Sequence, residues 1–270
     1  MCIIGGEKWG SSPQLNLFLS ARDRHVAIIP NHPFEGATTV DHLGMFAKFW
    51  TPGQVKTRLA TTIGDVQAAQ VYRAMLSYLV DSLQTVGDRR TIAFTPTDTQ
   101  SGFANLTESV AQSWHLVPQA DGALGDRMTQ FFESSFSQVA HHWAAGRVVL
   151  IGSDCPTITP SLCMEAFDLL RTNEVVLGPT LDGGYYLVGM AHQYRDVFSG
   201  ITYSTESVLE QTVSKMQRKN LKYALLQPRE DVDEFSNLAA LHKTLVENPR
   251  CGQSELISEI EKALAAGRCS

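Results

Sequence analysis

No stretch of this sequence is apolar for long enough to span a bilayer. The opening residues, MCIIGGEKWGSSPQ, lack the basic region and long apolar run of a secretory leader. Cysteine is scarce: Cys2, Cys155, Cys163, Cys251 and Cys269 are odd in number and contain no C-x-x-C pair. That spacing argues against a disulfide framework or a zinc site and fits a reducing, cytoplasmic setting. Positive charge is also in short supply, with 22 Lys and Arg against 28 Asp and Glu and a formal net charge of -6. Such a balance argues against nucleic acid as the main partner. It leaves room for a small anionic ligand, which a few local cations or a metal can hold against the net field.

What is present is an ordinary globular composition, 43% hydrophobic and 19% charged over 270 residues, enough for a substantial core. Residues 1–40 stand apart as an N-terminal extension rich in Gly, Ser, Pro, Asn and His, in which only HVAII (His25 to Ile29) reads as a strand. From 41 to 270 the chain alternates. HLGMFAKF, RTIAFTP, GRVVLIGSD, NEVVLGPT and LKYALLQ read as strands. Between them lie helical patterns. One carries an apolar stripe at Val66, Ala69, Tyr72, Leu76, Leu79 and Leu83, and another carries Met128, Phe131, Phe132 and Phe136 on one side. Thr159 followed by Pro160 reads as a helix start, and Ser204 or Thr205 as another. A helix at the C-terminal end stops at Gly267. This alternation predicts a single α/β domain with a mostly parallel sheet flanked by helices, and such sheets bind ligands beyond the carboxyl ends of their strands.

Four strand ends carry unusual chemistry. After the first, KFWTPGQVKTRLA offers a turn at Pro52 and Gly53 and cations at Lys48, Lys56 and Arg58, a loop suited to phosphates. It is not a P-loop, because Val55 stands where that motif needs Gly before the Lys. After GRVVLIG, Asp154 emerges from a buried strand and suits Mg²⁺ or Mn²⁺; a helix cap is the weaker reading, since Thr159 caps better. In REDVDEF, Asp231 and Asp233 alternate around Val232, so one can enter a site while the other stays out, and Asp233 is the favoured insider. The fourth is DGGYYLVG, Asp182 to Gly189, which is either a hairpin turn or a place where the backbone comes close to something else. The adjacent His141 and His142 would point about 100° apart on a helix and cannot easily share a metal.

Taken together, FAKFWTPGQVKTRLA, LGDRM, GSDCPTITP, LDGGYYLVG, STESVLEQT and DVDEF resemble one family. It is the glycosyltransferase-like, radical-SAM/selenodomain-associated transferase family, of the GT-A (nucleotide-diphospho-sugar transferase) fold. Its pattern runs F-A-K-x-P-x-P-G-x-V-K-T-R-L, L-G-E-R-M, G-S-D-C-P, D-G-G-Y-Y-L, S-T-x-x-V-L and D-V-D, and the match covers roughly residues 43 to 241 in order. Trp50 replaces the first loop proline, Asp126 replaces Glu, and no Thr-Pro follows DVD. The resemblance implies a metal on the nucleotide diphosphate held by Asp154 and Asp233. It implies a nucleotide contacted by Lys48, Pro52, Gly53, Lys56, Arg58 and Arg127. It also implies an acceptor side at Gly183, Gly184, Tyr185 and Tyr186, with Asp182 as base and Glu206 second. The expected reaction is glycosyl transfer from a nucleotide-diphospho-sugar to a small-molecule acceptor. VKTRLA is also similar to the loop of phospholactate guanylyltransferases, which keeps nucleotidylyl transfer open. A nucleotide-binding module without catalysis is the rival from another class, against which the intact Asp154, Asp182 and Asp233 argue.

Overall fold

In the computed structural model, residues 39–110, 113–142, 145–194, 196–250 and 252–267 are described, with 139–142 and 145 described for their backbone alone. The HVAII stretch and most of the 1–40 extension lie outside them, as do the side chains of His141 and His142. The elements are β1 (Thr39–Lys48), α1 (Thr57–Ile63), α2 (Asp65–Ser82), β2 (Arg89–Thr95), α3 (Gln100–Leu106), β3 (His115–Pro118), α4 (Leu124–His142) and β4 (Ala145–Gly152). They continue with α5 (Pro160–Leu169), β5 (Val175–Pro179), β6 (Tyr185–Met190), α6 (Val208–Arg218), β7 (Tyr223–Leu225), α7 (Phe235–Glu247) and α8 (Ser254–Gly267).

The seven strands form one sheet in the order β3-β2-β1-β4-β6-β5-β7. All neighbours are parallel except β6, which runs antiparallel to both β4 and β5. Period-two alternation sorts the strand residues between two helical layers. Leu43, Met45, Val149 and Ile151 pack with α2, α3 and α5. Val148, Leu150, Leu177 and Val188 pack with Met128, Phe131 and Phe132 of α4 and Met216 of α6. A third cluster joins α1, α2, α7 and α8 through Leu59, Met75, Leu238 and Ile260. The two innermost strands are also pinned by charge, since Arg147 Nε and Nη2 donate to Asp41 Oδ1 and Oδ2 at 2.7 and 2.9 Å. A fork–fork pair of this kind fixes geometry as well as contributing energy.

Several local expectations hold. Thr159 caps α5, accepting from Leu162 N at 3.2 Å, with Pro160 in the first turn. The α2 stripe is buried at Ala69, Tyr72, Leu76, Leu79 and Leu83, but Val66, in the first turn, is 53% exposed. Neither Ser204 nor Thr205 caps α6. That helix begins at Val208 with Ser207 as N-cap, while Ser204 adopts φ 62° and the Thr205 hydroxyl donates to Thr202 O at 2.8 Å. Among the described residues no helix is long and apolar enough to cross a membrane.

Candidate active site

The order of β2, β1 and β4 places the reversal of strand order at β1, where ligands enter the crevice of open α/β sheets. A cleft of about 270 Å³ lies there, lined by Lys48, Lys56, Arg127, Asp154 and Asp233 among others. Four separated segments build it. β1 ends at Lys48, whose ammonium donates to Gln54 O at 2.7 Å and so ties the following loop closed. That loop ends at Lys56, the residue before α1, in the left-handed conformation (φ 48°, ψ 44°). Such a backbone is uncommon and strained for a side-chain-bearing residue. The Lys56 side chain is 3% exposed, and its ammonium contacts Asp154 Oδ1 directly and Asp233 Oδ1 at 3.0 Å. It also lies 5.8 Å from the centre of the Tyr72 ring. Burial pulls the Lys56 pKa down, but the two carboxylates outweigh it and hold the ammonium above its ordinary value.

The carboxylates come from the middle and from one edge of the sheet. Asp154 follows β4. Asp233 follows β7, and the two loops are stitched by Val232 N donating to Asp154 O at 3.0 Å. Asp233, not Asp231, faces Lys56 and lines the cleft. The helix cap next to it is supplied by Glu234, which forms a capping box with Asn237 at the start of α7. Capping therefore makes no demand on the Asp233 carboxylate. Arg58 also reaches Asp233, Nη2 to Oδ2 at 2.6 Å, and Glu234 Oε1 at 3.3 Å. It braces the acid from outside and does not line the cleft. Pro52 and Gly53 form the exposed turn of the loop, also outside the lining. Trp50 is engaged by protein, stacked on Phe49 at 4.3 Å with Arg73 5.6 Å from its ring.

Beside this cleft, and sharing Asp154, Phe46 and Leu124 with it, is a more apolar chamber of about 230 Å³ that includes Tyr185 and Tyr186. Tyr186 belongs to the core and its hydroxyl donates to Gln227 O at 3.1 Å. Tyr185 is half-buried against Met128.

The DGG segment joins the antiparallel strands β5 and β6, so structurally it is a hairpin connection. Asp182 Oδ1 accepts from the Thr180 hydroxyl and from Gly184 N, the latter at 3.2 Å. Gly183 has φ 89°, and a Cβ there would overlap the Glu206 carbonyl. Leu209 N donates to Gly183 O at 2.8 Å. The close backbone approach expected at Gly183 is thus real, and its partner is the segment leading into α6. Asp182, Gly183, Gly184 and Glu206 line neither chamber.

Two contributors were not visible to sequence reasoning. Tyr72 reads as core, and it is core, yet its hydroxyl bonds Ser153 Oγ at 2.7 Å and accepts from Lys48 N at 3.1 Å. Burial first, and then the Asp154 carboxylate, push its pKa up to about 12, so it remains a neutral floor. Gln119 follows β3, a strand too short to show a period. Its amide donates to Ala93 O at 2.9 Å and Ala47 O at 3.3 Å, and its Oε1 accepts from Arg127 Nη1 at 2.8 Å. The available signal was position alone, directly after a strand.

The family described as "Uncharacterized protein conserved in bacteria (DUF2064)" matches residues 79–205. No curated protein matches the chain. Among solved structures, a protein from Desulfovibrio desulfuricans G20, provisionally named a nucleotide-diphospho-sugar transferase, is 29% identical with a TM-score of 0.77, over 86% of this chain and 98% of that one. A cytidylyltransferase from Leptospira borgpetersenii is 12% identical with a TM-score of 0.53, over 86% and 98%. A 4-diphosphocytidyl-2C-methyl-D-erythritol synthase from Anaerococcus prevotii is 11% identical with a TM-score of 0.54, over 77% and 96%. The last two share the fold alone. Together with the sheet order, these likenesses identify the architecture: the chain has the nucleotide-diphospho-sugar transferase-like α/β fold.

Proposed function

We propose that the chain is a metal-dependent transferase that uses a nucleotide-activated donor, with the Lys48–Lys56–Arg127 cleft receiving the nucleotide and its phosphates. The observation that carries this reading is the convergence of Lys56 with Asp154 and Asp233 at the carboxyl ends of β1, β4 and β7. The likeness to the Desulfovibrio protein supports the same class. So do the six ordered motifs shared with the radical-SAM/selenodomain-associated transferases.

Asp154 and Asp233 fit Mg²⁺ or Mn²⁺. Two hard oxygens from different loops already face one cation, the Lys56 ammonium, and both side chains are partly exposed. Among the described residues no group of three or more His, Cys, Asp or Glu converges, which suits an ion that completes its shell with water and phosphate oxygens. When bound, such an ion neutralises charge developing on the diphosphate. Lys56 and Arg127 add fixed positive charge beside it, and the buried Tyr72 and Ser153 keep the floor rigid.

For the transfer itself we favour glycosyl transfer from a nucleotide-diphospho-sugar. The Tyr185–Tyr186 chamber would be the acceptor side, with the Gly183–Gly184 turn at its rim, Asp182 the base and Glu206 second. Nucleotidylyl transfer is the second reading. It is supported by the absence of Asp182 and Glu206 from the lining of both chambers, since attack by an acceptor phosphate needs no base. A panel of nucleotide sugars and nucleoside triphosphates, with and without Mn²⁺, tests the class by thermal shift. Release of nucleoside diphosphate from a sugar donor marks glycosyl transfer, and release of pyrophosphate marks nucleotidylyl transfer. Asp154→Asn is expected to stay folded and lose metal-dependent binding. Binding without either product across the panel would favour the non-catalytic module, and no nucleotide binding at all would refute the reading.

A further inference from the structure

A second cavity, of about 200 Å³, lies on the other side of Gln119 and Arg127, between the β1–β2–β3 end of the sheet and α4. His42 and Arg89 are register partners on β1 and β2 and both line it, with Thr91 two residues further on. Phe46, Val117 and Phe131 form its apolar wall. Phe131 can approach β1 because residue 44 is glycine, where a Cβ would overlap the phenyl ring.

Its polar groups are left incomplete by the protein. His42 is 2% exposed, and its Nε2 pairs with the Thr91 hydroxyl at 2.9 Å. Its Nδ1 is buried without a partner, and so are Arg89 Nε and Arg127 Nε. Five such side-chain atoms exist among the described residues, and three of them belong to residues lining this one cavity. Buried polar atoms are nearly always bonded, so a cluster of exceptions points to a missing partner. The charges are equally incomplete. The Arg127 guanidinium bonds only the neutral Gln119 side chain, and the Arg89 guanidinium forms no hydrogen bond or ion pair among the described residues. In a chain of net charge -6, two guanidinium groups without a carboxylate at the same cavity are a matched feature and not an excess of surface charge. Burial first, and then Arg89 and His115, push the His42 imidazole down to about 3. It is therefore neutral, and in the tautomer that accepts at Nε2 from the Thr91 hydroxyl, Nδ1 carries the hydrogen and is free to donate to a ligand.

We propose that this cavity is a second ligand site, for a small molecule bearing a phosphate or carboxylate group. The oxyanion sits at the His42–Arg89 end, and the remainder lies against Phe46 and Phe131. Planar guanidinium forks and a neutral imidazole N–H are donors matched to either oxyanion. Arg127 and Gln119 line both this cavity and the donor cleft, so occupancy here bears on the Arg127–Gln119 bond that closes the cleft's wall. The site stands on its own residues and does not depend on which donor the cleft takes.

Calorimetric titration of the full chain with inorganic phosphate and, separately, succinate, against chloride at matched ionic strength, tests it and tells the two oxyanions apart. Saturable binding of at least one is expected. Arg89→Gln should weaken it about tenfold or more, as loss of a charged hydrogen-bond donor does. Lys56→Met, which removes the cation of the donor cleft, should leave it unchanged. Binding that vanishes with Lys56→Met and survives Arg89→Gln would assign the anion to the donor cleft and overturn the proposal, as would no binding of either anion. If Arg89→Gln does not fold, the ¹⁵N imidazole signals of the wild-type protein decide. A saturable shift of His42 with the bound anion supports the site, and binding without that shift overturns it.

Discussion

Replacing Lys56 by Met removes the ammonium that joins three segments of the site while keeping a similar side-chain volume. At 3.0 Å from Asp233, a pair in an effective dielectric near 20 attracts by about 5 kcal/mol. Three effects reduce the net loss. The Asp154 and Asp233 side chains are 49% and 30% exposed, so solvent screens both. The thioether also avoids the several kcal/mol needed to desolvate an ammonium. Asp233 keeps Arg58 at 2.6 Å, which limits the repulsion left behind. The expected balance is a loss of about 1–3 kcal/mol, because two carboxylates remain close together with no buried counter-charge. At roughly 2–4 °C per kcal/mol for a domain of this size, Tm should fall by about 2–12 °C in a chelating buffer. Scanning calorimetry of parent and variant measures this directly. In Mn²⁺ the order of response should reverse, with the variant gaining more Tm than the parent, since its carboxylates no longer share their oxygens with a lysine. A variant that melts at or above the parent in chelator would refute the claim that the lysine holds the acids together. A variant indifferent to Mn²⁺ would remove the acid pair from consideration as a metal site.

Gly183→Ala puts a methyl group into the Glu206 carbonyl at a positive φ, and should cost about 2–4 kcal/mol in urea unfolding; a loss below about 1 kcal/mol would mean that the α6 entry gives way freely. Asp41→Asn breaks the fork with Arg147, whose side chain is 10% exposed, and should destabilise by roughly 3–5 kcal/mol by leaving a buried charge unmatched. His42 titrates near 6.5 when unfolded and at about 3 when folded, so the unfolded chain binds the extra proton between those values. Its contribution to stability is therefore complete above pH 6.5 and lost as pH falls, by about 1.4 kcal/mol per unit. Urea midpoints from pH 7.0 to 4.5 should fall less steeply for His42→Gln than for the parent, and parallel slopes would contradict its being buried and neutral.

The parts of the fold legible in the sequence are those whose signals are local. GRVVLIG reads as a buried strand because every residue from Val148 to Ile151 is apolar, and β4 lies at the middle of the sheet. Thr159–Pro160 reads as a helix start because a cap and a fixed φ act within one turn. The helices α1 and α3 escaped because seven residues make only two turns, and β3 because HLVP shows neither an apolar run nor a clean alternation. The cap expected at Ser204 or Thr205 moved to Ser207, because the chain before α6 is bound to the Gly183 turn, a constraint from residues more than twenty positions away.

The candidate site divides in the same way. Sequence alone selected Asp154, Asp233 and Lys56, since strand-end carboxylates and a cation-bearing loop are unusual residues in positions that α/β topology exposes to ligand. It also offered two readings of DGG, a hairpin turn or a close backbone approach. Tertiary structure decided what each one meets. Lys56 and Asp233 are 177 positions apart, and only the strand order, which sets β1 beside β4 and carries the β7 loop back to Asp154, brings them to one point. Whether a glycine faces ligand or backbone, and whether an arginine finds a carboxylate or a cavity, depends on packing across the sheet, and neither periodicity nor spacing along one chain carries that information.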